Sequence, residues 1–192
     1  MRVALFGGSF NPPHVAHQMV ALYVLETAPV DQLWFIPCFQ HAFGKPLAPF
    51  DDRFAMCGLT AAPLGPRAEV NDVERDIAQP SRTLVTVRAL MARHPQHQFS
   101  WIVGGDLVPE IDTWYGAAEL RRTIPFLIVG RAGAAAPPSS ATASPATVMM
   151  PAVSSTDVRR ALAERKSVQG LVPRTVLDYI YQRGLFQARE PE

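Results

Sequence analysis

The chain has 192 residues, 48% apolar and 18% charged, with a formal net charge of +1. That length suffices for one domain with a sizeable core, and the chain lacks the basic excess that nucleic acid or an anionic membrane as main partner would require. No apolar run approaches a membrane span, and the N-terminus lacks a signal peptide's apolar core; with two cysteines, Cys38 and Cys57, that form no CxxC pair, a cytoplasmic protein with reduced structural thiols is expected.

The elements follow in chain order. Val3-Ala4-Leu5-Phe6 has the length and composition of a buried strand. Gly7 and Gly8 come next, where a backbone turns sharply and approaches a ligand closely. Asn11 is a good N-cap and Pro12 fits a first helical position, so a helix is predicted from Pro12 to about Thr27, burying Val15, Met19, Leu22 and Tyr23. Gln32 to Pro37 reads as a second strand, and Cys38 to Pro49 as a loop holding Gln40, His41 and Lys45. Asp51 or Asp52 is expected to cap a helix reaching about Ala62. A third strand is placed at Ala68 to Val73, and a helix at Ser81 to His94 with Leu84, Val87, Leu90 and Met91 at helical spacing. Phe99 to Val103 forms a fourth strand ended by Gly104-Gly105-Asp106. A short helix over Trp114 to Arg122 and a fifth strand over Pro125 to Val129 follow, and the alternation implies βαβ units in a parallel sheet. Residues 133–146, rich in Ala, Pro and Ser, read as a mobile surface loop. A short strand at Val148 to Met150 and two helices, Ser155 to Lys166 and Pro173 to Arg183, complete one domain over 1–186, with a tail at 187–192.

Two stretches carry chemistry. A strand, a glycine turn and a helix start aim backbone N–H groups and a positive dipole end at one spot, which suits phosphate. His14 and His17, three apart, share a helix face there. Either alone reads as an ordinary residue of a βα turn; together they supply hydrogen bonds to oxygens that gain charge. Val153 to Arg159 opens the penultimate helix, with Ser154 as N-cap and Asp157 completing a box-like pair. Ser155 and Arg159 share a face that suits a polyphosphate. No GxxxxGK[ST] and no GxGxxG is present, against a P-loop kinase and a dinucleotide-dependent dehydrogenase. His94-Pro95-Gln96-His97 reads as a polar loop rather than a metal site.

Gly7-Gly8-Ser9-Phe10-Asn11-Pro12 with His14-x-x-His17 resembles the first signature of the nucleotidylyltransferase superfamily, and Ser154-Ser155-Thr156-x-x-Arg159 its second. Within it the chain is most similar to bacterial nicotinate mononucleotide adenylyltransferases, through Gly104-x-Asp106, Thr113-Trp114-Tyr115, Arg131 and the tail from Leu171 to Leu185. The resemblance implies a Rossmann-like, doubly wound α/β sheet with C-terminal helices. It implies transfer of adenylyl from ATP to nicotinate mononucleotide, releasing pyrophosphate, with Mg²⁺ as the usual helper; carboxylate ligands for the ion are not obvious in the sequence, which leaves it mainly to ATP itself. By likeness, Gly7, Gly8, Ser9, Phe10, Asn11, His14, His17, Gly104, Asp106, Ser154, Ser155, Thr156 and Arg159 contact ATP, with His14, His17 and Arg159 catalytic. Lys45, Thr83, Trp114 and Arg131 face the mononucleotide, Trp114 stacking on the pyridine ring. Two positions depart from the family pattern: Ala16 replaces the glycine before the second histidine, and Arg82 replaces a tyrosine beside Thr83. Nicotinamide mononucleotide, pantetheine phosphate or another acceptor, or nucleotide binding without catalysis, stay open as alternatives, as does homo-oligomerisation.

Overall fold

The structure is a computed structural model that describes residues 1–130 and 150–187. Among these residues five strands, β1 (Arg2–Gly8), β2 (Gln32–Pro37), β3 (Ala68–Val70), β4 (Gln98–Gly104) and β5 (Phe126–Val129), form one sheet in the order β3-β2-β1-β4-β5. Every pairing is parallel, with Val3 opposite Gln32 and Trp101 opposite Phe126. Strands buried on both faces need no polar alternation, which is why they read as apolar runs. Val3, Leu5, Trp34, Ile36, Trp101 and Val103 point to one face, where they meet Leu84, Val87 and Leu90 of α3 (Thr83–Arg93) and Leu120 of α4 (Ala117–Thr123). Ala4, Leu33, Phe35 and Ile102 point to the other, against α1 (Val15–Thr27) and α2 (Phe50–Ala61). A third cluster joins Met56 of α2 to α5 (Ser155–Ala163) and α6 (Arg174–Arg183) through Val158, Leu162, Val176 and Ile180.

The doubly wound α/β expectation is met, and several local expectations are corrected. α1 starts at Val15 with His14, not Asn11, in the extended N-cap conformation. The Asn11 side chain is spent elsewhere, on Pro46 and Ala48. α1 is apolar on every side, so its pattern does not select a face: Ala16, Ala21, Val24 and Leu25 are buried, while Met19 and Leu22 are 40% and 50% exposed. Neither Asp51 nor Asp52 caps α2, whose N-cap position is Pro49. The Asp52 carboxylate instead accepts from Tyr179 (2.8 Å) and Arg183 (3.0 Å), fastening α6 to α2. β3 stops at Val70 because a 3-10 turn begins at Val73. Met91 lies outside the buried stripe of α3. The helix expected from Trp114 starts only at Ala117. A 3-10 stretch, Gly105–Thr113, precedes it, and Gly116 sits at φ +67°, which breaks helical continuity.

α5 ends at Ala163 rather than Lys166, and Pro173 caps α6 from outside. The rings of His94 and His97 stack in parallel 5.6 Å apart and meet Trp34 edge-on. Cys38 and Cys57 are free thiols; burial pushes Cys38 up to about 11 and Cys57 higher still. The loop expected at 133–146, Val148 and Met149 of the expected last strand, Arg131, and the tail beyond Gln187 lie outside the described residues. Met150 is described; it is buried and not in a strand.

Candidate active site

A parallel sheet puts all its carboxyl ends on one edge, and the turns that leave that edge carry the expected residues. Gly8 ends β1, the Lys45 loop follows β2, Thr83 opens α3 after β3, and Gly104 ends β4. β1 and β4 are neighbours whose connections leave to opposite faces. That reversal opens a crevice above the strand ends, where open α/β sheets bind ligands.

The first signature is built differently from the expected glycine turn. β1 runs through Gly7 and Gly8, and a Cβ on Gly7 would collide with the Trp101 indole. The left-handed residue is Phe10, at φ +44° and 1% exposed. Holding a non-glycine there costs on the order of 1–3 kcal/mol. Burying a phenylalanine returns roughly 1.5–3 kcal/mol, and the Phe10 ring also meets Phe6 (5.5 Å), Phe35 (5.6 Å) and His17 (5.0 Å). Aromatic packing therefore holds the turn. It delivers the chain to His14, 2% exposed, whose ring lies 3.7 Å from that of His17. The His14 backbone N–H donates to His17 Nδ1 at 3.1 Å. An imidazole that accepts at Nδ1 carries its proton on Nε2, so His17 is set as an Nε2–H donor. The start of α1 is not a bare ring of donors, because the Val15 N–H donates to the Leu171 carbonyl at 3.0 Å.

The second signature docks directly on the first. Ser154 caps α5 as expected, its Oγ accepting from the Asp157 N–H at 3.1 Å. Ser155 Oγ donates to the Pro12 carbonyl (2.8 Å), and Arg159 Nη1 to the Asn11 carbonyl (2.8 Å), while Arg159 Nη2 reaches Thr156 Oγ1 at 3.3 Å. Residues about 145 positions apart in the chain thus share one corner with His14.

On the β4 side the Asp106 carboxylate folds back over Gly104 so closely that a Cβ there would collide with Oδ1. Trp114 is half-buried against the α3 face of the core, and the Arg82 guanidinium lies 4.4 Å over the exposed Tyr115 ring. Lys45 is exposed on its loop. It stands close enough to His41 to add to the burial that lowers the affinity of that imidazole for a proton. Asn11 holds the same loop, its Oδ1 accepting from the Ala48 N–H (3.0 Å) and its Nδ2 donating to the Pro46 carbonyl (3.4 Å).

A profile of cytidylyltransferase-like proteins matches residues 5–161, which span both signatures. The chain belongs to the cytidylyltransferase-like family. A probable nicotinate-nucleotide adenylyltransferase of Anaeromyxobacter sp. (strain K) is 42% identical over 188 residues, 96% of each chain. One of Myxococcus xanthus (strain DK1622) is 37% identical over 186 residues, 97% of this chain and 95% of that one. The fold is similar to that of Plasmodium falciparum nicotinic acid mononucleotide adenylyltransferase complexed with NaAD, with a TM-score of 0.84, 20% identity, and coverage of 96% of this chain and 97% of that one.

In this family member two buried polar side chains beside the signature were not foreseen. Arg53 is 1% exposed and Glu74 4%. Arg53 had a readable signal, since it falls on the stripe Phe50, Arg53, Cys57, Ala61 that faces inward on α2. Glu74 had none, lying in a 3-10 turn without periodicity. Ala16, where the family pattern has glycine, tucks its methyl inside and leaves α1 regular.

Proposed function

We propose that the chain transfers the adenylyl group of ATP to nicotinate mononucleotide, forming nicotinate adenine dinucleotide and pyrophosphate for NAD biosynthesis. The phosphate oxygen of the mononucleotide attacks the α-phosphorus of ATP, and the bond to the bridging oxygen of the β-phosphate breaks. The nucleophile is already anionic, so alignment and stabilisation of crowded negative charge suffice. The observation that carries the reading is the docking of Ser155 and Arg159 on the carbonyls of Pro12 and Asn11, beside His14 and His17. In this reading His17 donates Nε2–H to a phosphate oxygen, with its tautomer set by the His14 backbone. Arg159 adds a fixed positive charge, and Ser154, Ser155 and Thr156 add donors at the start of α5. Gly104 and Asp106 close the nucleotide side.

On the acceptor side, Trp114 offers a stacking surface, and Thr83 and Lys45 add polar contacts; Arg131 joins them by its match to the family pattern alone. Arg82 precedes Thr83 in the chain, its guanidinium lying over the Tyr115 ring, and a cation there would favour a carboxylate-bearing acceptor over a carboxamide. Mg²⁺ was expected with ATP. Among the described residues no group of three or more His, Cys, Asp or Glu side chains could hold an ion, so they form no dedicated metal cage. We place Mg²⁺ on the triphosphate as part of the substrate.

The test is a paired assay of the purified protein with MgATP and either nicotinate or nicotinamide mononucleotide, scoring dinucleotide and pyrophosphate together. The expected outcome is dinucleotide formation with a higher kcat/KM for the nicotinate substrate. ATP binding with no dinucleotide from either acceptor overturns the reading.

A further inference from the structure

We propose that Arg53 and Glu74 are a buried positioning pair that fixes the loop after β2 against the signature turn, and so sets the acceptor side of the cleft relative to its ATP side. Arg53 stands in the first turn of α2 and donates to carbonyls of three separate chain segments. Its Nη1 reaches Ser9 (3.0 Å) and Cys38 (2.7 Å), Nε reaches Ala48 (2.9 Å), and Nη2 reaches Phe39 (3.3 Å). Glu74 holds the same strand end from the other side. Its Oε2 accepts from the Phe39 N–H (3.2 Å), and its Oε1 accepts from Thr86 Oγ1 of α3 (2.6 Å). The Cys38–Phe39 peptide is therefore gripped at its carbonyl, that of Cys38, by a cation and at its N–H by an anion. Ser81 Oγ accepts from the same Phe39 N–H (3.0 Å) and from Gln40 (3.3 Å).

Space-filling does not explain this choice of residues. An apolar side chain of equal volume would leave four carbonyls without donors, and buried polar groups are costly unless bonded. Only guanidinium offers five N–H donors in one rigid plane. A buried cation in turn needs opposite charge close by, and Glu74 supplies it through one peptide unit. The segments joined this way are the ones that matter for transfer. Ser9 belongs to the histidine turn. Cys38, Phe39 and Ala48 are the two ends of the loop carrying Lys45, which Asn11 also holds. Displacement of about 1 Å between bound reactants can cost on the order of a hundredfold in rate, so two fixed loop ends bear directly on alignment.

The kinetic part of this inference rests on the adenylyl-transfer reading, so the experiment has two arms. The first is amide hydrogen exchange of the wild-type protein without ligand. The Phe39 amide is expected to be protected as strongly as those of β1; free exchange there overturns the pair whatever the protein catalyses. The second compares Arg53→Lys, which keeps the charge and loses the fork, with the near-isosteric Glu74→Gln, both assayed well below their Tm. Arg53→Lys is expected to lower kcat and raise KM for the mononucleotide, each on the order of tenfold. Glu74→Gln is expected to raise KM for the mononucleotide several-fold, hold KM for ATP within about twofold, and speed exchange at Phe39. Folded variants with lower Tm but wild-type kcat and KM would make the pair scaffold only. A wild-type protein that forms no dinucleotide yet shows the protected amide counts against the transfer reading and leaves the clamp standing.

Discussion

The two helix starts that meet at the proposed phosphate site are built in opposite ways. At α1 the chemistry is part of the core: His14 is buried, its ring lies tilted against that of His17, and His17 sits among Phe6 and Phe10. At α5 it is attached from outside. Thr156 is exposed, Ser154 and Arg159 are half-buried, and the helix is held to residues 11 and 12 by two side-chain hydrogen bonds. The difference assigns distinct tasks. A donor fixed by core packing keeps its geometry without ligand, which suits a group that must act in the transition state. A guanidinium held near the surface suits capture of a highly charged substrate.

Four measurements would break or sharpen that contrast. The largest effect is expected for His17→Ala, a loss of turnover on the order of a hundredfold or more, as for removal of one oxyanion donor, with the fold retained by circular dichroism. Near-normal kcat in a folded variant would remove the core-built histidine from catalysis. Next, Arg159→Ala should lower kcat/KM for ATP by about tenfold to a hundredfold, mostly through KM. An unchanged KM for ATP would leave Arg159 as a clip on Asn11 and nothing more. Trp114→Ala should raise KM for the mononucleotide by about tenfold and that for ATP far less, because a stacking surface is lost; equal changes in both would assign the indole to the core.

The smallest effect is a control at the opposite edge of the sheet. There the Arg2 side chain and N–H hold the Asp31 carboxyl down from 3.8 to about 2. A lowered folded-state value means this pair stabilises the fold fully above pH about 4 and progressively less as pH falls towards 2. Both groups are solvent-exposed, so the expected signature is a slight flattening of the Tm decline over that range in Arg2→Ala, with transfer activity at neutral pH unchanged. A loss of activity would show that distance from the carboxyl edge does not insulate the site.

Much of this was legible without coordinates. Residues buried on both sheet faces need no polar alternation, so β1, β2, β4 and β5 announced themselves as short apolar runs, and their spacing by helices implied parallel pairing. Ser154 and Gly184 acted as local punctuation, because capping depends on a residue and its nearest neighbours. The signatures named the histidines, the serines and Arg159 for the same reason: each is a short segment whose chemistry is local.

What the chain alone left undetermined depends on neighbours distant in sequence. The face that α1 buries was not readable, since a helix apolar all round is oriented by what packs on it rather than by its own period. Asn11 resembled a cap, yet the loop 35 residues on competes for its side chain and wins. The glycines resembled a turn, yet the turn is made at Phe10 by rings contributed from β1, β2 and α1. Local propensity and capping fixed the elements and the identities of the reactive groups. Long-range hydrogen bonds and packing decided where those groups meet, because their partners acquire a position only when the sheet has formed.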